Sequence, residues 1–263
     1  MKFLEKFENL LQTEYIFHLH TNYTDGSSSI EEYCKWALEN EFETIIFLEH
    51  VRRDLSYSFE NFLNDIETAR EKYPINILIG VEAKILLEGE LDIPKEILPY
   101  IQVIGIAEHF FPKDLDLYRS SCFKVFSDRQ WGNYIRVWVH PGNFLKKYNI
   151  NNTEILDELI SYALSCGIFI ESNLKHKLPP INVCKKIPLN KLVKGIDAHS
   201  VNDLIQQYEY IKTPSLSIII PTYNEEKNIS NCLSYIAANK YPNNKVEIII
   251  IDGGSIDGTI NKN

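Results

Sequence analysis

FHLHTNYTDGS, residues 17–27, decides how the rest of the chain is read. His18 and His20 lie two apart in the β-rich run YIFHLH (15–20), so on a strand their imidazoles point to one face while Leu19 points to the other. Asp25, in the TDG turn that follows, can reach the same mouth. Outward from this stretch the chain alternates helix-period and strand-period segments: SIEEYCKWALEN (29–40), TIIFLEH (44–50), FENFLNDIETAREKY (59–73), then INILIGVEAKI (75–85). IQVIGIAEHF (101–110), IRVWVHPG (135–142), the helical NTEILDELISYALSCG (152–167), IFIESN (168–173) and LVKGIDAHS (192–200) continue it. Seven strands with helices between them predict an α/β fold, a closed or nearly closed parallel barrel. The competitor, an open doubly wound sheet, is weakened because no glycine-rich dinucleotide loop follows the first strand.

Each of the seven runs carries a ligand-type side chain toward its C-terminal end: His18 and His20, then His50, Glu82, His109, His140, Glu171, and Asp197 with His199. In a parallel barrel these ends open on one face, so residues distant in sequence meet in space. A lone His-x-His is more often a hydrogen-bonded structural pair. Here six of seven histidines sit at or just beyond strand ends, and only His176 falls elsewhere in the pattern. So dense a cluster of ionisable groups is costly to desolvate without cations, which favours a metal site.

At these residues the chain resembles the PHP (polymerase and histidinol phosphatase) superfamily of metal-dependent phosphoesterases, over about residues 14–205. FHLHTNYTDGS, FLEH, GVEAKI, GIAEHF, WVHPG and GIDAHS match its motifs in order. The resemblance implies a distorted seven-stranded β/α barrel. It also implies that His18, His20, Asp25, His50, Glu82, His109, His140, Asp197 and His199 ligate up to three divalent ions, with His18, His20, Asp197 and His199 central to catalysis. Glu49 stands where the family commonly has aspartate, and Glu171 is expected to orient a ligand. Three divalent ions against three carboxylates leave a pocket of about +3, or about +2 with a bridging hydroxide, suited to a phosphate dianion. Mixed imidazole and carboxylate donors suit zinc, manganese or iron without choosing among them.

Arg52 and Arg53 follow His50 at the same rim, where a guanidinium fork fits phosphate oxygens, and Lys84 shares the face of Glu82. All three are candidate substrate-binding residues, although charge runs usually lie on solvated faces. Lys175 and His176 lie beyond Glu171 and could touch a leaving group, although a simple loop role is the expectation. Residues 111–133 hold no recognisable code for a leaving group.

Length and composition set the outer bounds. The chain has 263 residues, 44% hydrophobic and 24% charged, with a net charge of −9, enough to bury a core and too acidic to favour clamping long nucleic acids. MKFLEKFENLLQTEY lacks a signal-peptide core, and no apolar run approaches the roughly 20 residues of a membrane span, so a cytoplasmic protein is expected. Cys34, Cys122, Cys166, Cys184 and Cys232 form no CxxC pair and suit a reducing compartment, most of them as small core residues. Oligomeric state is not legible.

A boundary is expected at KTPS, dividing a barrel at 1–212 from a linker at 213–215 and a fragment at 216–263. In the fragment, SIIIPTYNEEKNI followed by EIIIIDGGSIDGT looks like the opening of an inverting family 2 glycosyltransferase of GT-A fold. That resemblance implies a vestigial nucleotide-sugar site at Pro221, Tyr223, Glu225 and Asp252. It covers only the start of such a domain, so sugar transfer is not expected. The reading of the whole is hydrolysis of a small phosphorylated metabolite, histidinol-phosphate-like or sugar-phosphate-like. The alternatives are an exonuclease or nucleotide phosphodiesterase, a phosphotyrosine phosphatase, or a non-catalytic metal-stabilised module attached to a glycosyltransferase of polysaccharide synthesis.

Overall fold

The structure, a computed structural model, describes residues 2–212, 216–239, 241 and 245–260. The expected linker at 213–215 lies outside the described residues. The chain divides into two compact units, 1–204 and 205–263.

In the first unit the elements run α1 (Lys2–Leu10), β1 (Tyr15–Leu19), α2 (Ile30–Glu39), β2 (Thr44–Val51), α3 (Phe59–Lys72), β3 (Asn76–Lys84) and β4 (Val103–Ala107). Then follow α4 (Leu115–Ser127), β5 (Ile135–Trp138), α5 (Asn143–Lys147), α6 (Thr153–Ser165), β6 (Phe169–Asn173), α7 (Ile181–Cys184) and β7 (Leu192–Gly195), and α8 (Val201–Lys212) runs on from the first unit into the second. The helices begin where short polar side chains satisfy their free amides. Ser29 and Glu32 form a reciprocal capping box on α2, while Ser58, Asp114 and Asn152 cap α3, α4 and α6. α1, and α4 within the stretch expected to be loop, are additions to the sequence pattern.

The seven strands form one parallel sheet in sequence order, β1 to β7. Backbone bonds from His20 N to Ala198 O (3.0 Å) and Ala198 N to His18 O (3.1 Å) join its two edges, making the nearly closed barrel of the sequence reading. Phe17, Ile46, Leu48, Val103, Val137, Phe169 and Val193 fill the lower interior, with Phe7 of α1 packed onto them. Burying one such side chain stabilises by about 1.5–3 kcal/mol. Along β2 the same inward-facing series runs Ile46, Leu48, His50, so the interior passes from hydrocarbon to imidazole toward the strand C-termini. His50 pairs in register with Glu82 of β3, which sets those two side chains abreast.

The strands end earlier than their hydrophobic patterns. β4, β5 and β7 stop at Ala107, Trp138 and Gly195, so His109, His140, Asp197 and His199 sit in the turns beyond. Positive φ at His140 (33°) and Asp197 (56°) breaks the extended backbone there, a feature that residue pattern does not carry. His18 lies inside β1, but at φ 74°, where the register between β1 and β2 shifts.

The second unit adds β8 (Leu216–Thr222), α9 (Ile229–Ala237) and β9 (Val246–Asp252), with β8 and β9 parallel and in register. All five cysteines are free, but only Cys34 and Cys122 are buried; Cys166 and Cys184 are partly exposed and Cys232 is exposed, which corrects the core assignment for most of them. Among the described residues no helix is long and apolar enough to cross a membrane.

Candidate metal centre

Glu82 is the hub. Its Oε1 lies 2.7 Å from His109 Nε2 and 2.8 Å from His140 Nε2, and its Oε2 lies 3.0 Å from His50 Nδ1, 3.5 Å from His20 Nε2 and 3.7 Å from His18 Nε2. The same His20 Nε2 lies 3.7 Å from Asp197 Oδ1, while its Nδ1 faces Asp25 Oδ1 at 3.9 Å, and Asp25 Oδ2 bridges His50 Nε2 and His199 Nε2 at 3.3 Å each. The structure therefore gathers His18, His20, Asp25, His50, Glu82, His109, His140, Asp197 and His199 into one cluster.

Burial alone would raise the Glu82 carboxyl; the His109 and His140 imidazoles outweigh it and hold the group well below the usual carboxylate range. Asp197 is also held low, chiefly by His18 and His176 against its burial. Asp25 is held low by hydrogen bonds with His199 and His50. Burial pushes His20 well below the usual imidazole range, with His18 adding to it. His18, His50 and His140 move the other way: against their burial, Glu171 raises His18, Asp25 and Glu82 raise His50 to about 9, and Glu82 raises His140. The set thus combines three carboxylates with six imidazoles, which become donors for divalent cations once deprotonated.

Unpaired atoms test the fit. His18 Nε2, His20 Nδ1, His50 Nδ1, Glu82 Oε2 and His140 Nδ1 are buried and make no aligned hydrogen bond, although His50 Nδ1 and Glu82 Oε2 lie 3.0 Å apart. Leaving a buried polar group unpaired costs about 1–3 kcal/mol, and so many poorly satisfied atoms in one cluster is an arrangement that cations would resolve. Four triads have donor atoms all within 4.8 Å of one another: His20/His50/His199, His18/His20/Glu82, His18/His140/Asp197 and His50/Glu82/His109.

Other side chains hold these donors in place. His18 Nδ1 is 2.6 Å from Glu171 Oε1, an arrangement that orients the ring with Nε2 toward the cluster, and the Glu171 carboxylate raises the imidazole well above its usual range against burial. Glu171 Oε2 accepts the His140 amide at 2.5 Å. Gly195 makes that approach possible, because a Cβ there would lie 1.7 Å from Glu171 Oε1. Glu49 accepts the Thr21 amide (2.7 Å) and the Thr24 hydroxyl (2.5 Å), anchoring the turn that carries Asp25. Gly26 tightens that turn, since a Cβ would fall 2.3 Å from His20 O.

The residues expected to bind substrate separate. Arg52 lines an open pocket of about 450 Å³ beside the cluster, together with Thr24, Asp25, His50, Asp54, Ser56, His109 and Phe110. Arg53 is directed to Glu90 in an exposed ion pair, and Lys84 is held 3.3 Å from Asp92, so neither lines that pocket.

Sequence reading placed Lys175 and His176 in a simple loop role. The structure instead sets His176 Nε2 at 3.1 Å from Asp197 Oδ2, and Lys175 Nζ at 2.9 Å from His199 Nδ1 and 3.6 Å from Asp197 Oδ1. The available signal was that His176 also follows a strand end, β6, three residues past Asn173. All seven histidines thus meet at one end of the barrel.

A family model for the PHP domain matches residues 17–171. The chain belongs to the PHP domain family. The fold comparison agrees: histidinol phosphate phosphatase from Lactococcus lactis subsp. lactis, solved with zinc, L-histidinol and phosphate, superposes with a TM-score of 0.51. That match is 18% identical and covers 76% of this chain and 94% of the other, so it speaks to fold.

Beyond the PHP domain, a family model for glycosyl transferase family 2 matches residues 217–262. Glycosyltransferase AglE of Haloferax volcanii is 48% identical over 46 residues, 18% of this chain and 15% of that protein. A dolichyl N-acetyl-alpha-D-glucosaminyl phosphate 3-beta-D-2,3-diacetamido-2,3-dideoxy-beta-D-glucuronosyltransferase of Methanococcus voltae is 51% identical over 45 residues, 17% of this chain and 14% of its own length. The chain therefore spans a small part of these relatives. In this stretch Pro221 lies in β8 and Tyr223 and Glu225 just past its end, while Asp252 closes β9 opposite Thr222. Asp252 Oδ2 accepts the amides of Gly254 (2.9 Å) and Ser255 (2.8 Å), so the carboxylate shapes its own turn.

Proposed function

We propose that the PHP domain hydrolyses a phosphate ester of a small metabolite, in a reaction that depends on divalent transition metal. The observation that carries this reading is the convergence of unpaired imidazole and carboxylate atoms on Glu82, next to an open pocket with a guanidinium at its rim. His18, His20, Asp25, His50, Glu82, His109, His140, Asp197 and His199 are the proposed ligands of up to three zinc, manganese or iron ions. Bound there, such ions neutralise phosphate charge and lower the pKa of a coordinated water.

The chain's own residues supply orientation. Glu171 orients the His18 ring, Glu49 holds the Asp25 turn, and Arg52, whose Nη1 donates to Val51 O and whose Nε lies 3.9 Å from Asp92 Oδ2, lines the pocket where a phosphate oxygen would be met. Lys175, beside Asp197 and His199, places a second cation where phosphate charge would lie. A pocket of about 450 Å³ suits a small leaving group. The ligands of the Lactococcus lactis neighbour, histidinol and phosphate, support a histidinol-phosphate-like or sugar-phosphate-like substrate. The net charge of −9 disfavours a nucleic-acid track. Residues 216–263 are proposed not to transfer sugar.

The test is turnover of an aryl phosphate by chelated protein before and after addition of manganese. Activity that appears with manganese and disappears with chelator is expected. A protein that binds the metal but turns over neither the aryl phosphate nor any member of a phosphometabolite panel would overturn the hydrolase reading.

A further inference from the structure

The carboxylate of Glu108 is buried and is none of the proposed ligands. Its two oxygens accept three donors from the next strand and the turn beyond it. Oε1 takes the Trp138 indole N–H at 2.9 Å and the Gly142 amide at 3.1 Å, and Oε2 takes the Phe144 amide at 2.6 Å. Glu108 thus ties the turn after β4 to the turn after β5. One peptide unit away is His109, and inside the turn it grips is His140. These two imidazoles share Glu82 Oε1, at 2.7 and 2.8 Å.

The tie acts on a strained segment. His140 has φ 33° and Gly142 φ 93°, both in the left-handed region, and Phe110 on the Glu108 side has φ 58°. A non-glycine residue in that region is strained and persists only where its surroundings over-determine it. For His140 the surroundings are two carboxylates: Glu171 takes its own amide, and Glu108 takes the amides two and four residues on. Removing Glu108 leaves one of the two holds and frees the turn to relax toward ordinary backbone.

We infer that Glu108 is a positioning residue of the metal centre, holding His109 and His140 in mutual register so that the donor triads containing them can close. The inference rests on the reading of the cluster as a metal site. Two of the four triads contain these histidines, His50/Glu82/His109 and His18/His140/Asp197, whereas His20/His50/His199 contains neither. The effect should therefore fall on part of the site.

Zn²⁺ titrated into chelated full-length protein, followed by calorimetry, tests this. Wild type is expected to bind more than one equivalent. Glu108→Gln, which turns an amide N–H₂ toward backbone donors, is expected to weaken part of that binding by about 10–100-fold, the usual loss when an outer partner of a metal ligand is removed. One equivalent should keep its wild-type affinity. A merely structural role would lower the melting temperature of the metal-free variant and leave stoichiometry and affinities unchanged, which would overturn the inference. Should Glu108→Gln fail to fold, Trp138→Phe, which withdraws one of the three donors, carries the test with an expected loss of about 10-fold at the same equivalents; unchanged binding there overturns the inference. A wild type that binds no metal would instead overturn the reading beneath it.

Discussion

β2 and β9 are near-synonyms in sequence, TIIFLEHV at Thr44–Val51 and VEIIIID at Val246–Asp252, and opposites in environment. Every residue of β2 is buried except His50, whereas Ile249 and Ile251 of β9 are 41% and 54% exposed. β2 is flanked by β1 and β3, whereas among the described residues β9 pairs with β8 alone and α9 is the one helix between them. An isoleucine-rich parallel strand thus declares a demand for burial, and only the layers around it meet that demand. The same contrast holds for polar groups. At the barrel mouth, donors from all parts of the PHP domain converge unpaired, while Asp252 in the second unit is satisfied by its own turn.

The sharpest way to break this comparison is at the barrel mouth. His20→Ala and Asp197→Ala are each expected to cut phosphatase activity by more than the roughly 10–100-fold typical of losing an outer partner of a ligand, with the fold retained. Steady-state kinetics at saturating manganese, beside a far-UV circular dichroism spectrum, make the check. Near-wild-type turnover in both variants would move the chemistry elsewhere.

The hydrocarbon side of the comparison is tested by matched truncations. Ile46→Ala removes a fully buried side chain from the barrel interior and should destabilise by about 2–5 kcal/mol. Ile249→Ala, on the exposed strand, should change stability by no more than about 0.5 kcal/mol. Chemical denaturation of the two variants reads the difference directly, and equal losses would show that β9 is covered in solution.

A smaller effect separates the two arginines. Arg52→Ala is expected to raise KM more than it lowers kcat, because it offers ground-state phosphate binding at the pocket, while Arg53→Ala, facing Glu90, should leave both close to wild type. An exposed pair of the Arg53 kind contributes little to stability. The reverse ranking would restore Arg53 to the substrate.

What could be read in advance follows the same division between periodic and aperiodic features. The seven strands were visible because Ile, Val and Phe recur through them, and the ligands because His and carboxylate residues punctuate their ends. α4 escaped because its buried face, Tyr118, Ser121, Cys122, Val125 and Phe126, mixes a serine and a cysteine into the apolar stripe. Lys175 and His176 rank as loop residues in the sequence, with contact to a leaving group second, because a charged, proline-flanked loop looks solvated until the chain folds it back onto Asp197. Glu108 gave no signal at all: one glutamate beside a histidine carries no pattern, and its role depends on amides 34 and 36 residues away. Positive φ at His18, His140 and Asp197 is likewise invisible to periodicity, yet it aims three of the proposed ligands.

The smallest expected effect concerns where the PHP domain stops. A chain ending at Lys212 keeps α8 whole and removes β8, α9 and β9. Those strands expose Leu216, Ile219, Ile248, Ile249 and Ile251, a surface of the kind that promotes association between chains. None of the nine proposed ligands lies beyond His199, and the pocket beside them is lined from residues 24 to 110. Truncation should therefore leave kcat and KM unchanged and solubility equal or better, as measured by light scattering at matched concentration and by aryl phosphate kinetics. The full chain should likewise show no tight binding of a nucleotide sugar, because Asp252 is engaged by Gly254 and Ser255 and the family 2 match covers only 217–262. A fall in melting temperature or in activity on truncation would mean that the barrel draws on residues past Lys212, and the exposed isoleucines would then mark a surface that the rest of the molecule uses.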